Sequence, residues 1–202
     1  MSLDDLSREF SIVRAPEAAG QLRAFVSVEE EIAAYAREDA ITDELTNFAR
    51  TYAVLRNGNC AGYFTLMADA IRLMIGERPG GVRYYSAPAL KIARLGAHVE
   101  HGPKGTGRWM LAVITGLGLR LAEDIGLRYL TVDALPRPKL IEFYERHGFV
   151  KNVDENDHRM RTTGEHAIIA DGEPPPELVV SMRLDLVLRP ATNGTTSAGW
   201  VV

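Results

Sequence analysis

Residues 98–111 read HVEHGPKGTGRWML, and two residue types there could work together: glycines that leave backbone N–H groups uncovered, and the cations Lys104 and Arg108 beside them. From Gly102 the run spells G-P-K-G-T-G and leads straight into an apolar stretch with helical character. N–H donors gathered at a helix N-terminus, without Cβ bulk around them, make a site for phosphate. An arginine in a first helical turn is disfavoured by the helix dipole by ~0.3–1 kcal/mol unless an anion lies between them. The glycine spacing is not that of a dinucleotide fingerprint, and no Lys-Ser or Lys-Thr pair follows at P-loop distance. By itself the loop reads either as an anion cradle or as a plain glycine-rich turn carrying two solvated cations.

Other reactive side chains are sparser. His98 and Glu100 stand together at the end of the stretch 89–100, where either could serve as a base. His101, His147, His158 and His166 lack metal-ligand spacing such as H-E-x-x-H, so no metal is expected. Cys60 is the single cysteine, far in sequence from any histidine, and is read as a small buried hydrophobe. A lone cysteine excludes an internal disulfide and fits a reducing, cytoplasmic setting. No run approaches a membrane span, and MSLDDLSREF is acidic where a secretory signal would be apolar.

The positioning elements follow from pattern. FSIVRA (10–15) is a short strand, and SVEEEIAAYAREDAITDEL (27–45) is one helix with a Ser cap and acids in its first turn. TYAVLRNGNCAGYFTLMADAI (51–71) is a hairpin turning on Asn57-Gly58, and 77–82 is a loop. ALKIARLGAHVE (89–100) is a central strand, 108–126 a buried helix, 128–135 a strand, and 138–149 a helix with Pro138 at its start and Gly148 past its end. ELVVSMRLDLVL (177–188) closes the set. The order predicts a mixed, mostly antiparallel α/β (α+β) sheet of six to seven strands flanked by helices. With 202 residues, 46% apolar, the chain forms one domain over 1–188, with a polar excursion at 151–176 and a tail at 189–202.

Charge is uneven. Residues 1–58 carry 6 Lys/Arg against 11 Asp/Glu, 59–150 carry 12 against 8, and 151–202 carry 5 against 8. The glycine loop lies in the only basic sector, which suits an anionic ligand of modest size better than a long nucleic-acid track.

Taken with its neighbours, the loop resembles one family. ARLGAHVEHGPKGTGRWMLAVITGLGLRLAEDIGLRYLTVDAL, followed by FYERHGF (143–149), is similar to the central half of the GNAT-superfamily N-acetyltransferases. Gly105 and Gly107 match the two small positions of that family's pyrophosphate loop, while Gly102 stands where Gln or Arg is usual. Upstream, ARTYAVLRNGNCAGYFTLMADAI resembles the subgroup of acetyltransferase toxins paired with antitoxins. The resemblance implies acetyl-CoA as co-substrate, with its diphosphate on the N–H groups of Lys104, Gly105, Thr106, Gly107 and Arg108. Its pantetheine would pair with the backbone of Ala97, His98 and Val99, and an N–H near Ala97 or Val99 would polarise the thioester. Tyr144 is implied as the acid that protonates the departing thiolate, the alternative being a packed helix residue.

The expected activity is acetyl transfer to a primary amine of a small molecule or protein. The second reading is a toxin that acetylates aminoacyl-tRNA and is restrained by an antitoxin; the third is a non-catalytic acetyl-CoA-binding module. A homodimer and no membrane partner fit the family pattern. The acidic first 58 residues weigh against tRNA. The excursion, lying ahead of the last strand, is expected near the acceptor cleft.

Overall fold

The computed structural model describes residues 2–80, 83–153, 156 and 179–188. Seven strands make one sheet in the order β1-β2-β3-β4-β5-β7-β6, every neighbouring pair antiparallel except β4 with β5. The strands are β1 (Ser11–Arg14), β2 (Arg50–Arg56), β3 (Asn59–Arg72), β4 (Ser86–Ala97), β5 (Tyr129–Ala134), β6 (Val150–Lys151) and β7 (Val180–Asp185). Six α-helices accompany them among the described residues: α1 (Leu3–Glu9), α2 (Ala19–Arg23), α3 (Glu30–Glu38), α4 (Ala40–Leu45), α5 (Thr106–Asp124) and α6 (Pro138–Arg146).

The β2–β3 hairpin turns where Asn-Gly stands, with Asn57 at φ 51° and Gly58 at φ 79°, the paired positive angles that match strand twist. The helix expected over 27–45 is two helices, α3 and α4, parted at Asp39, and Ser27 is not its cap. Ser27 instead accepts a hydrogen bond from the Glu29 N–H at 3.3 Å, just ahead of α3. Two helices, α1 and α2, are each too short to show an apolar period. Lys151 joins the sheet as part of β6, so the strand order continues into the expected excursion. The remainder of 151–176, apart from 152, 153 and 156, and the tail 189–202 lie outside the described residues.

Two cores sandwich the sheet. Leu6, Trp109, Met110, Leu111 and Ile114 pack with Ile92, Leu130, Val132 and Met182 under α5. Alanines 33, 36 and 40 let α3 and α4 approach the other face closely, over Phe25, Ala53 and Tyr63. That close approach is reinforced by the Tyr63 hydroxyl, which donates to the Ile32 carbonyl at 2.6 Å.

Candidate active site

The sheet opens between β4 and β5. Their parallel pairing runs from Ala89 with Tyr129 to Ile92 with Val132 and then stops, although β4 continues to Ala97. At that point β4 also bulges: on its other edge Thr65 faces Arg94 and Leu66 faces Ile92, leaving Ala93 as the extra residue. A bulge bends its strand and sharpens the twist, which swings Ala93–Ala97 away from β5. The edge of β4 so exposed offers unpaired backbone groups to an extended ligand.

The turn that follows is held by His98. Its Nδ1 accepts the N–H groups of Glu100 and His101 at 3.1 and 3.2 Å. Burial, with His101 stacked at 4.4 Å, pushes the imidazole below its ordinary pKa and keeps it neutral. With Nδ1 accepting two backbone amides, His98 builds the turn. The His98 N–H donates to Ala61 and that of Val99 to Val26, at 2.9 and 3.1 Å, so each is occupied within the protein. Ala97 ends β4.

Gly102 is glycine for steric reasons. A Cβ there would lie 2.6 Å from the His98 carbonyl oxygen and 2.7 Å from that of Ala61, so a Gln or Arg at this position would force the backbone to shift. Gly105 caps α5 at φ 103°, a left-handed conformation that L side chains rarely adopt. Four amides at this end differ from the rest. Thr106 N–H and Oγ1 both donate to the Pro103 carbonyl, at 3.1 and 2.7 Å. Lys104, Gly105, Gly107 and Arg108 N–H have no acceptor among the described residues, as befits the first turn of a 19-residue helix. The side chains of Lys104 and Arg108 are exposed beside them.

One wall of this cradle was not legible in the sequence. Helix α1 lies across the start of α5: Leu6 is fully buried with its Cδ1 3.4 Å from where a Gly105 Cβ would be, and Trp109 Nε1 donates to Ser7 Oγ at 2.9 Å. A capping box formed by Ser2 and Asp5, read in retrospect, is the signal for α1. A shallow groove of about 200 Å³ continues from the cradle past Arg108, bordered by Leu3, Ala112, Thr115 and His147.

Tyr144 comes from α6, on the same core as α5. It is 4% exposed and wedged between Phe143 and Phe149, ring centroids 5.2 and 5.4 Å away. Burial alone raises its pKa, so the phenol keeps its proton throughout the physiological range. Its hydroxyl has no hydrogen-bond partner among the described residues. Glu100 is exposed. Among the described residues no cluster of His, Cys, Asp or Glu could hold a metal, and no helix is long and apolar enough to cross a membrane. The Cys60 thiol is buried, donates to the Gly62 carbonyl at 3.2 Å, and is pushed up to about 12 by burial.

The fold as a whole has counterparts in solved proteins. The structure of AtaT complexed with acetyl-methionyl-tRNAfMet superposes with a TM-score of 0.67 over 88% of this chain and 95% of that one, at 17% identity. The fold is the one these toxins share. A mutant of AtaT bound to the C-terminus of the antitoxin AtaR and acetyl-CoA gives 0.62 over 89% and 94%, at 16% identity. In sequence, the tRNA-acetylating toxin of Mycobacterium tuberculosis (strain H37Rv) is 26% identical over 129 residues, covering 62% of this chain and 76% of that protein. No protein-family model matches the chain. The mixed, mostly antiparallel GNAT-type sheet expected from the sequence is the one observed, at the upper end of the expected strand number.

Proposed function

We propose that this protein is an acetyl-CoA-dependent N-acetyltransferase whose acceptor is the α-amine of an aminoacyl-tRNA. The observation that carries this reading is the opening between β4 and β5 beside the bare first turn of α5, in a chain related by sequence to a tRNA-acetylating toxin. Between the two acceptors weighed from sequence, this relative favours the charged tRNA over a free small-molecule or protein amine.

In the proposed complex the cofactor's diphosphate rests on the N–H groups of Lys104, Gly105, Gly107 and Arg108, with the two side chains adding charge. Thr106 contributes through Pro103 by shaping the turn. The nucleotide end lies in the groove past Arg108, and the pantetheine runs past Val99, His98 and Ala97 along the free edge of β4 toward the bulge. The thioester then sits at the bulge. The amine nitrogen attacks the carbonyl carbon, the C–S bond breaks, and Tyr144 gives its proton to the sulfur. A phenol held neutral by burial suits that step, because an acid must arrive protonated.

The charge argument against tRNA weakens once the acids are located. Glu29 and Glu31 pair with Arg137 and Arg94, two cations from outside the acidic segment that its count of 6 against 11 leaves out, so part of its net charge is compensated. Restraint by an antitoxin belongs to the same reading, on the model of AtaT with AtaR.

The test is incubation with acetyl-CoA and a panel of charged tRNAs, uncharged tRNA, peptides and polyamines, read by mass spectrometry. N-acetyl-aminoacyl products are expected, with Tyr144→Phe slower by ~10²–10⁴-fold. Acetylated polyamines or peptides without acetylated aminoacyl-tRNA would restore the small-molecule or protein acceptor. Cofactor binding without transfer to any amine would leave an acetyl-CoA-binding module.

A further inference from the structure

The sheet face opposite α5 carries polar side chains where the sheet opens. Residues paired across strands share a face, so Lys91 of β4, Thr131 and Asp133 of β5, and Ser181 and Arg183 of β7 stand on one side. Their alternating neighbours Ile92, Leu130, Val132 and Met182 enter the core beneath α5. Asp133 is the first residue of β5 beyond the last β4 pair, directly across the opening from the bulge at Ala93. Lys91 Nζ donates to Asp133 Oδ2 at 2.6 Å, and the two side chains are 25% and 22% exposed. Thr131 donates to Asp69 Oδ2 at 2.8 Å, which locks the next carboxylate down the face. The other charges around it are paired: Arg183 with Glu77, Arg137 with Glu29 and Arg94 with Glu31.

We infer that Asp133 receives the acceptor's α-ammonium group and takes the proton that must leave before attack, an inference that rests on the function proposed above. The cofactor cradle belongs to α5, on one face; a thioester reaching through the opening presents its carbonyl to the other face, where Asp133 is the carboxylate at the vertex. An α-ammonium carries no lone pair for attack. Asp133 accepts one proton from it, and the free amine forms the C–N bond. The C–S bond breaks, and the thiolate takes the proton of Tyr144. The nitrogen's second proton replaces that of Tyr144, and the proton on Asp133 passes to solvent. Of the two protons lost by the ammonium, one ends on the thiol and one in water. Lys91 is the positioning residue: it fixes the carboxylate and is displaced as counter-charge by the incoming ammonium.

The experiment compares wild type with Asp133→Asn in single-turnover acetylation of a charged tRNA across pH 6–9, alongside calorimetry of acetyl-CoA. The variant is expected to be slower by ~10²–10⁴-fold at pH 6–7. The deficit should shrink about tenfold per pH unit as the amine deprotonates by itself, with cofactor Kd unchanged. A deficit constant with pH, or none, overturns the inference while leaving the proposed function standing. Should Asp133→Asn fail to fold, the double variant Lys91→Gln/Asp133→Asn, which leaves no lone charge, carries the same readouts. Wild type that binds acetyl-CoA but acetylates no charged tRNA takes down both readings, and is seen before any variant is made.

Discussion

Replacing Gly105 by alanine separates the backbone geometry of the cradle from its bulk. The residue sits at φ 103° and ψ −6°, and its new Cβ would meet only Leu6 Cδ1, at 3.4 Å. The steric cost is therefore small, and the conformational cost of holding an L-residue left-handed is ~1–2 kcal/mol. In a chain this size that corresponds to a melting temperature lower by about 2–8 °C. The turn can escape the strain by rotating, which withdraws one amide from the diphosphate. Loss of one hydrogen bond to a charged group is worth ~1.5–3 kcal/mol, or about 10–150-fold in the Kd for acetyl-CoA. Isothermal calorimetry measures it, with Gly116→Ala as control. Gly116 lies on the exposed side of the same helix with nothing within 4 Å of a Cβ. That variant should bind as wild type does and gain up to ~1 kcal/mol in stability. If Gly105→Ala lowers the melting temperature but leaves acetyl-CoA affinity untouched, the bare amides of α5 are not the diphosphate site.

Giving the loop the family's glutamine is expected to harm it: Gly102→Gln forces Cβ to within 2.7 Å of two carbonyl oxygens and should cost ~1–3 kcal/mol or more by urea unfolding, without tighter cofactor binding. Folded protein at pH 8 should not react with a thiol reagent at Cys60, whereas urea-unfolded protein reacts at once; rapid labelling of the native state would refute its burial. A thiol pushed up to about 12 adds stability that is complete below its unfolded value of ~8.5 and is lost as pH climbs toward 12. Unfolding free energy should thus decline from about pH 9, with Tyr63 and Tyr144, both raised by burial, steepening the loss above ~10, and Cys60→Ala should delay the onset.

Most strands and the helices after them could be read from the chain because their signals are local. Asn57-Gly58 sets a turn type, and Pro138 and Gly148 bracket α6 within a dozen residues. The bare amides of the glycine loop were legible for the same reason, since they need only absent side chains. What could not be read depends on contacts distant in sequence. Helix α1 spans under three turns and is stabilised by Trp109, about a hundred residues away. The commitment of the Val99 amide to Val26 and of the His98 amide to Ala61 is likewise invisible before folding. Asp133 looked like one more acid in a strand, because only strand register places it at the opening. The split at Asp39 went unseen because the apolar period continues through it.

The docking of α1 on the start of α5 gives the protein a built-in optical gauge. Trp109 is edge-on to Phe10 at 4.9 Å and tethered to Ser7, one turn from the amides that would grip the nucleotide. Of the chain's two indoles the other is Trp200, so a Trp200→Phe background leaves emission from Trp109 alone. Filling of the cradle, or peeling away of the N-terminal turns by a fused purification handle, could then be followed by fluorescence without any added dye.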